Sequence, residues 1–74
     1  MVKRHTYPAE VAGAEIVVAT ETMKDGKWSV VSTVDQQVGD GRQATPLPVT
    51  HLRFETEEAA RAFGLAQAQE FLSR

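Results

Sequence analysis

The chain contains no cysteine. It can therefore form neither a disulfide staple nor a thiolate metal site, which excludes the disulfide-built mini-proteins of oxidising compartments. Long apolar runs are missing as well, and no window approaches the roughly 20 residues that a helix needs to cross a bilayer. The first residues, Met1-Val2-Lys3-Arg4-His5, are charged but lack the apolar stretch that follows in a signal peptide. Nor is there a surplus of positive charge. Eight basic residues stand against ten acidic ones, a formal net charge of −2, so no global positive field exists to hold a nucleic-acid backbone. These absences together lead us to expect a soluble cytoplasmic protein with no membrane partner.

A length of 74 residues allows one domain, and a chain this short hides a smaller share of its apolar surface than a longer one does. Its stability is expected to be only a few kcal/mol unless self-association adds to it. The stretch 1–13 mixes charge, Pro8 and Gly13 without a clear period, which reads as a mobile arm or an edge strand before the domain proper, 14–74. Glu15-Ile16-Val17-Val18-Ala19-Thr20 is short and β-branched, and Trp28-Ser29-Val30-Val31-Ser32-Thr33-Val34 repeats that character, so both read as strands. Between them Asp25-Gly26 is a strong hairpin signal. A two-residue turn there would set Met23 opposite Trp28, Ala19 opposite Ser32 and Val17 opposite Val34, and both strands are apolar on both sides. Such a pattern is expected where both faces of a sheet are covered.

The segment 36–48, with Gly39-Asp40-Gly41-Arg42 and Pro46-Leu47-Pro48, reads as a long mobile loop. Alternation resumes from Val49 to Glu55, with Leu52 and Phe54 as the expected core pair of a third strand. Thr56 is a good N-cap, Glu57 and Glu58 suit the positive end of a helix dipole, and a helix to about Ser73 follows. At 1.5 Å per residue it is roughly 25 Å long, enough to cross the sheet. Ala60, Phe63, Gly64, Gln67, Ala68 and Phe71 share one side of it, while Leu65 and Leu72 lie together off that stripe. Gly64 in mid-helix suggests close approach of the helix to the sheet. The expected fold is α+β, a three-stranded antiparallel sheet packed against one C-terminal helix, with an N-terminal edge strand as an option.

The phrases Phe54-Glu55-Thr56-Glu57-Glu58-Ala59, Phe63-Gly64-Leu65-Ala66 and Glu70-Phe71-Leu72 resemble those of small uncharacterised proteobacterial domains, in which a hairpin, a third strand and one helix make the whole protein. The resemblance runs from about residue 14 to residue 73 and implies a bacterial β-β-β-α domain without bringing an activity. Phe54, Thr56, Glu58 and Ala59 also match the F-x-T-x-x-E-A-like helix start of the arm-type DNA-binding domains of tyrosine recombinases. Those domains present basic side chains densely on the sheet, which this sequence does not.

For catalysis the candidates are His5, His51, Asp35, Asp40 and Glu55, but no spacing requires any two of them to converge. Two histidines 46 positions apart, neither with a partner at ligand spacing, do not make a metal site. Gly39-Asp40-Gly41 lacks the Lys-Ser/Thr of a phosphate loop. We therefore expect no enzyme, no cofactor and no metal. Two kinds of surface remain. Met23 and Trp28 near the hairpin tip, with Leu65 and Leu72 on the helix, suggest a protein-interaction or self-associating module, including a homodimer. Lys24, Lys27, His51 and Arg53, with Lys3-Arg4-His5 and Tyr7 in the arm, form the alternative, a nucleic-acid surface with aromatic side chains for stacking.

Overall fold

The computed structural model of the chain describes residues 3–47 and 52–73. Four antiparallel strands form one meander in the order β1-β2-β3-β4: β1 (Arg4–Val11), β2 (Ala14–Thr22), β3 (Trp28–Val38) and β4 (Gly41–Pro46). One helix, α1 (Glu57–Leu72), lies across a single face and packs on β2 and β3. The α+β class is as the sequence suggests; the first departure is that the described residues form a sheet of four strands, not three.

The stretch 4–11 takes up the edge-strand option left open by the sequence, as β1. Its alternation is real: Tyr7, Ala9 and Val11 turn toward the core while Arg4, Thr6, Pro8 and Glu10 turn away. Pro8 obscures the pattern, yet a proline is tolerated on an edge strand, where one side of the backbone needs no ladder partner.

The second departure concerns 36–48. This segment contains the end of β3, a two-residue turn at Gly39-Asp40, and all of β4. Every β4 side chain is exposed except Thr45, which is half-buried, so no apolar alternation marks the strand in the sequence. Of the expected third strand, Val49, Thr50 and His51 lie outside the described residues. Phe54 makes an isolated bridge to Trp28, with Trp28 N–H donating to the Phe54 carbonyl at 2.8 Å and the reverse bond at 2.9 Å. Leu52 is no core residue, being 54% exposed, whereas Phe54 packs on Phe63 at 5.3 Å between ring centroids.

The third departure is the hairpin register. Thr22, not Met23, stands opposite Trp28, and Ile16, not Val17, stands opposite Val34. The loop has three residues: Gly26 N–H donates to the Met23 carbonyl at 3.0 Å, Gly26 takes φ +84°, and Met23 N–H donates to the Lys27 carbonyl at 2.7 Å. A type I turn followed by a left-handed glycine closes a three-residue hairpin. Asp25 Oδ1 accepts from Lys27 N–H at 3.0 Å and braces it. Because side chains alternate with a period of two, the extra residue moves Val17 and Ala19 off the face shared by Trp28, Val30 and Val34 and places Ile16 and Val18 there.

That inner face holds the core: Ala14, Ile16 and Val18 from β2, Val30 and Val34 from β3, Leu47 beyond β4, and Ala60 and Ala68 from α1. The helix is seated by its smallest residues, Ala60, Gly64 and Ala68, one turn apart. A Cβ on Gly64 would lie 2.7 Å from Val30 Cγ2, 2.9 Å from Val18 Cγ1 and 2.9 Å from Ser32 Oγ, so close approach is what requires glycine there. Two buried hydroxyls on this face are both satisfied by the helix: Ser32 Oγ donates to the Gly64 carbonyl at 2.7 Å, and Thr20 Oγ1 to Glu57 Oε2 at 3.1 Å. Thr56 caps the helix by accepting from Ala59 N–H at 3.2 Å. Phe63 and Phe71 pack along one shoulder of the small-residue stripe, and Leu65 and Leu72 along the other, all half-buried against the core.

Candidate functional site

Three places deserve comparison: a polar cluster where β1 meets the start of α1, the basic residues around the hairpin tip, and the sheet face that the helix leaves open.

The polar cluster joins three elements. His5 and Tyr7 project from β1, Thr20 from β2, and Glu57 and Arg61 from the first turns of α1. His5 Nδ1 lies 2.7 Å from Glu57 Oε2 and 3.2 Å from the Tyr7 hydroxyl, while the Arg61 guanidinium sits 4.8 Å from the Tyr7 ring centre. The Tyr7 hydroxyl bonded to Glu57 is the main reason that the Glu57 carboxyl is held below its usual range. Partial burial opposes this shift, and Thr20, His5 and Arg61 add to it. The same bond is the main reason that Tyr7 is pushed above the usual phenol value, helped by burial and the Glu57 charge and opposed by Arg61. Chemically this is a clasp: a carboxylate at a helix N-terminus, where the dipole favours it, gathers donors from two strands. The groove beside it, about 860 Å³, is lined by Tyr7, Pro8, Ala9, Ala62 and Leu65 among others. Its charged lining residues are Glu58 and Arg61, one of each sign, so it favours neither an anion nor a cation.

The clasp was legible only in part. The arm's His5 and Tyr7 stand out as a basic-aromatic group, but the alternation of β1 turns both toward the helix, separating them from Arg4 on the opposite face.

Around the hairpin tip the basic residues have acidic neighbours. Lys27 Nζ lies 3.4 Å from Glu55 Oε1 and Arg53 Nε 3.9 Å from Asp25 Oδ2, while Lys24 is exposed in the loop. His51 lies outside the described residues. Met23 is half-buried in the loop, and Trp28 packs against the core with its ring 6.0 Å from that of His5.

The outer face of the sheet carries the side chains that alternate away from α1. Among the described residues no strand or helix crosses it: β1 and β4 extend the sheet sideways instead of folding over. Its middle is a band of Pro8, Val17, Thr33 and Pro46 in one row and Thr6, Ala19 and Val31 in the next. Val17, on a central strand, is 40% exposed. At one end of the band Glu10, Glu15 and Asp35 stand directly opposite one another across three strands. Like charges so placed destabilise a sheet, and of the described residues Arg42 supplies a cation nearby, pairing with Asp35 at 3.1 Å. Within the paired residues of the four strands this face bears four carboxylates, Glu10, Glu15, Glu21 and Asp35, against two guanidiniums, Arg4 and Arg42.

Among the described residues, no group of three or more His, Asp or Glu side chains is placed to hold a metal ion, and no helix is long and apolar enough to cross a membrane. No family model matches the chain, nor does any curated protein or solved structure.

Proposed function

We propose that the chain is a non-enzymatic protein-interaction module whose contact surface is the open outer face of its sheet. The observation that carries this reading is the band of Pro8, Val17, Ala19, Val31, Thr33 and Pro46, which no described element covers. An antiparallel sheet with one solvated face ordinarily alternates apolar-in and polar-out. Here valine, alanine and proline occupy the solvated side of the central and flanking strands, as in the middle of a protein contact. The surplus of carboxylates around the band disfavours a phosphate backbone, so the protein reading stands ahead of the nucleic-acid one. Leu65 and Leu72 are not part of this surface: they lie on the helix, on the other side of the sheet, and both already pack on the core. A reducing cytoplasm suits a chain without cysteine.

The test is site-specific photo-crosslinking in the cells that express the protein. A photoreactive residue replaces Val31 on the outer face or, as a control, Ala62 on the exposed side of the helix. Protein adducts from position 31 and none from position 62 support the reading. No adduct from position 31, or equal yields from both, overturns it.

A further inference from the structure

Resting on the outer-face reading, we infer that the partner is a cationic protein segment with an apolar face, which lays small or branched side chains on the band and Lys or Arg on the carboxylate row. Three observations point this way. Glu10 and Glu15 face each other directly across β1 and β2, and among the described residues neither has an ion-pair partner within 4 Å. Beside them lies a hollow of about 350 Å³, lined by Pro8, Ala9, Glu10, Glu15, Ile16 and Val17. It is at the small end of ligand-pocket size, suited to one long side chain rather than to a whole ligand. A cation seated there would have an apolar wall for its methylenes and two carboxylates for its head. Finally, the excess of carboxylates over guanidiniums makes this face repel a second copy of itself, so charge complementarity selects a basic partner over a homodimer.

A row of opposed carboxylates that weakens the free sheet and serves the bound state has a distinguishing signature. Replacing Glu10 and Glu15 by lysine relieves the repulsion only in part, since the two new charges again oppose each other, whereas Glu15→Lys alone creates attraction to both Glu10 and Asp35. Glu15→Lys is therefore expected to melt no lower than the parent while losing its partner.

The experiment places Glu15→Lys in the protein carrying the photoreactive residue at position 31, with Glu58→Lys on the helix as the charge-matched control, and identifies the crosslinked peptide by mass spectrometry. The expected result is a linked segment containing Lys or Arg beside apolar residues, an adduct yield lowered roughly tenfold or more by Glu15→Lys, and an unchanged yield with Glu58→Lys. A linked segment without basic residues, an adduct of two copies of this chain, or a yield indifferent to Glu15→Lys overturns the inference and leaves the outer-face reading in place. Absence of any adduct at position 31 sinks both.

Discussion

Ser32 Oγ, at the centre of β3, donates a 2.7 Å hydrogen bond to the carbonyl of Gly64, at the centre of α1. A buried hydroxyl and a missing side chain thus meet where helix and sheet come too close to admit a Cβ. Gly64→Ala gains about 1 kcal/mol of helix propensity, but its methyl would press on Val30 Cγ2, Val18 Cγ1 and Ser32 Oγ at under 3 Å. Two of these belong to stiff β-branched side chains on central strands, and overpacking of this kind costs about 1–3 kcal/mol. We expect Gly64→Ala to be destabilising on balance and Gly64→Val more so, measured by urea denaturation.

Ala12 sits at φ +53° in the turn between Val11 and Ala14, where an L-residue other than Asn, Asp or Gly is strained. Ala12→Asn should therefore raise stability by about 0.5–1 kcal/mol, visible as a higher thermal midpoint with an unchanged amide spectrum elsewhere. A loss of stability would show that the turn conformation is wrong.

The clasp makes stability depend on pH at both ends. Glu57 has a carboxyl pKa below its ordinary value in the folded protein, so its contribution is complete above the ordinary glutamate range and is lost as pH falls through the lowered folded value. Tyr7 is shifted upward, so its contribution is complete below the ordinary phenol value and is lost as alkali rises through the raised one. Glu57→Gln should flatten the acid limb, and Tyr7→Phe should reduce both limbs. Thermal midpoints measured across pH check this, and parallel curves for parent and variants would contradict it.

Much of the fold could be read from the chain because its strongest patterns are local. Thr56 followed by Glu57-Glu58 announces the helix start, and Gly64 among alanines announces close packing. What escaped was set by neighbours. β4 has almost no buried side chain and exists because β3 continues past Val34 to Val38 and offers it a partner. Asp25-Gly26 signalled a hairpin without fixing whether its loop has two residues or three, and that single residue decided which valines face the helix. A second apolar face was legible, but not its members: a two-residue turn would put Val17 on the side of Val34, and the observed register places it outside with Ala19 and Val31. The clasp needed β1, β2 and α1 brought together before His5, Thr20 and Glu57 could meet.

The central claim is that β3 divides its valines between a core and an open contact surface, and two isosteric substitutions on that strand test it most directly. Val34, fully buried on the helix side, and Val31, half-exposed on the outer side, are each replaced by threonine and the variants are unfolded in urea. Burying a hydroxyl at position 34 should cost about 1–3 kcal/mol, whereas Val31→Thr should stay within about 0.5 kcal/mol of the parent. Equal losses at the two positions would mean that the outer face is packed within the protein itself, and would contradict the account.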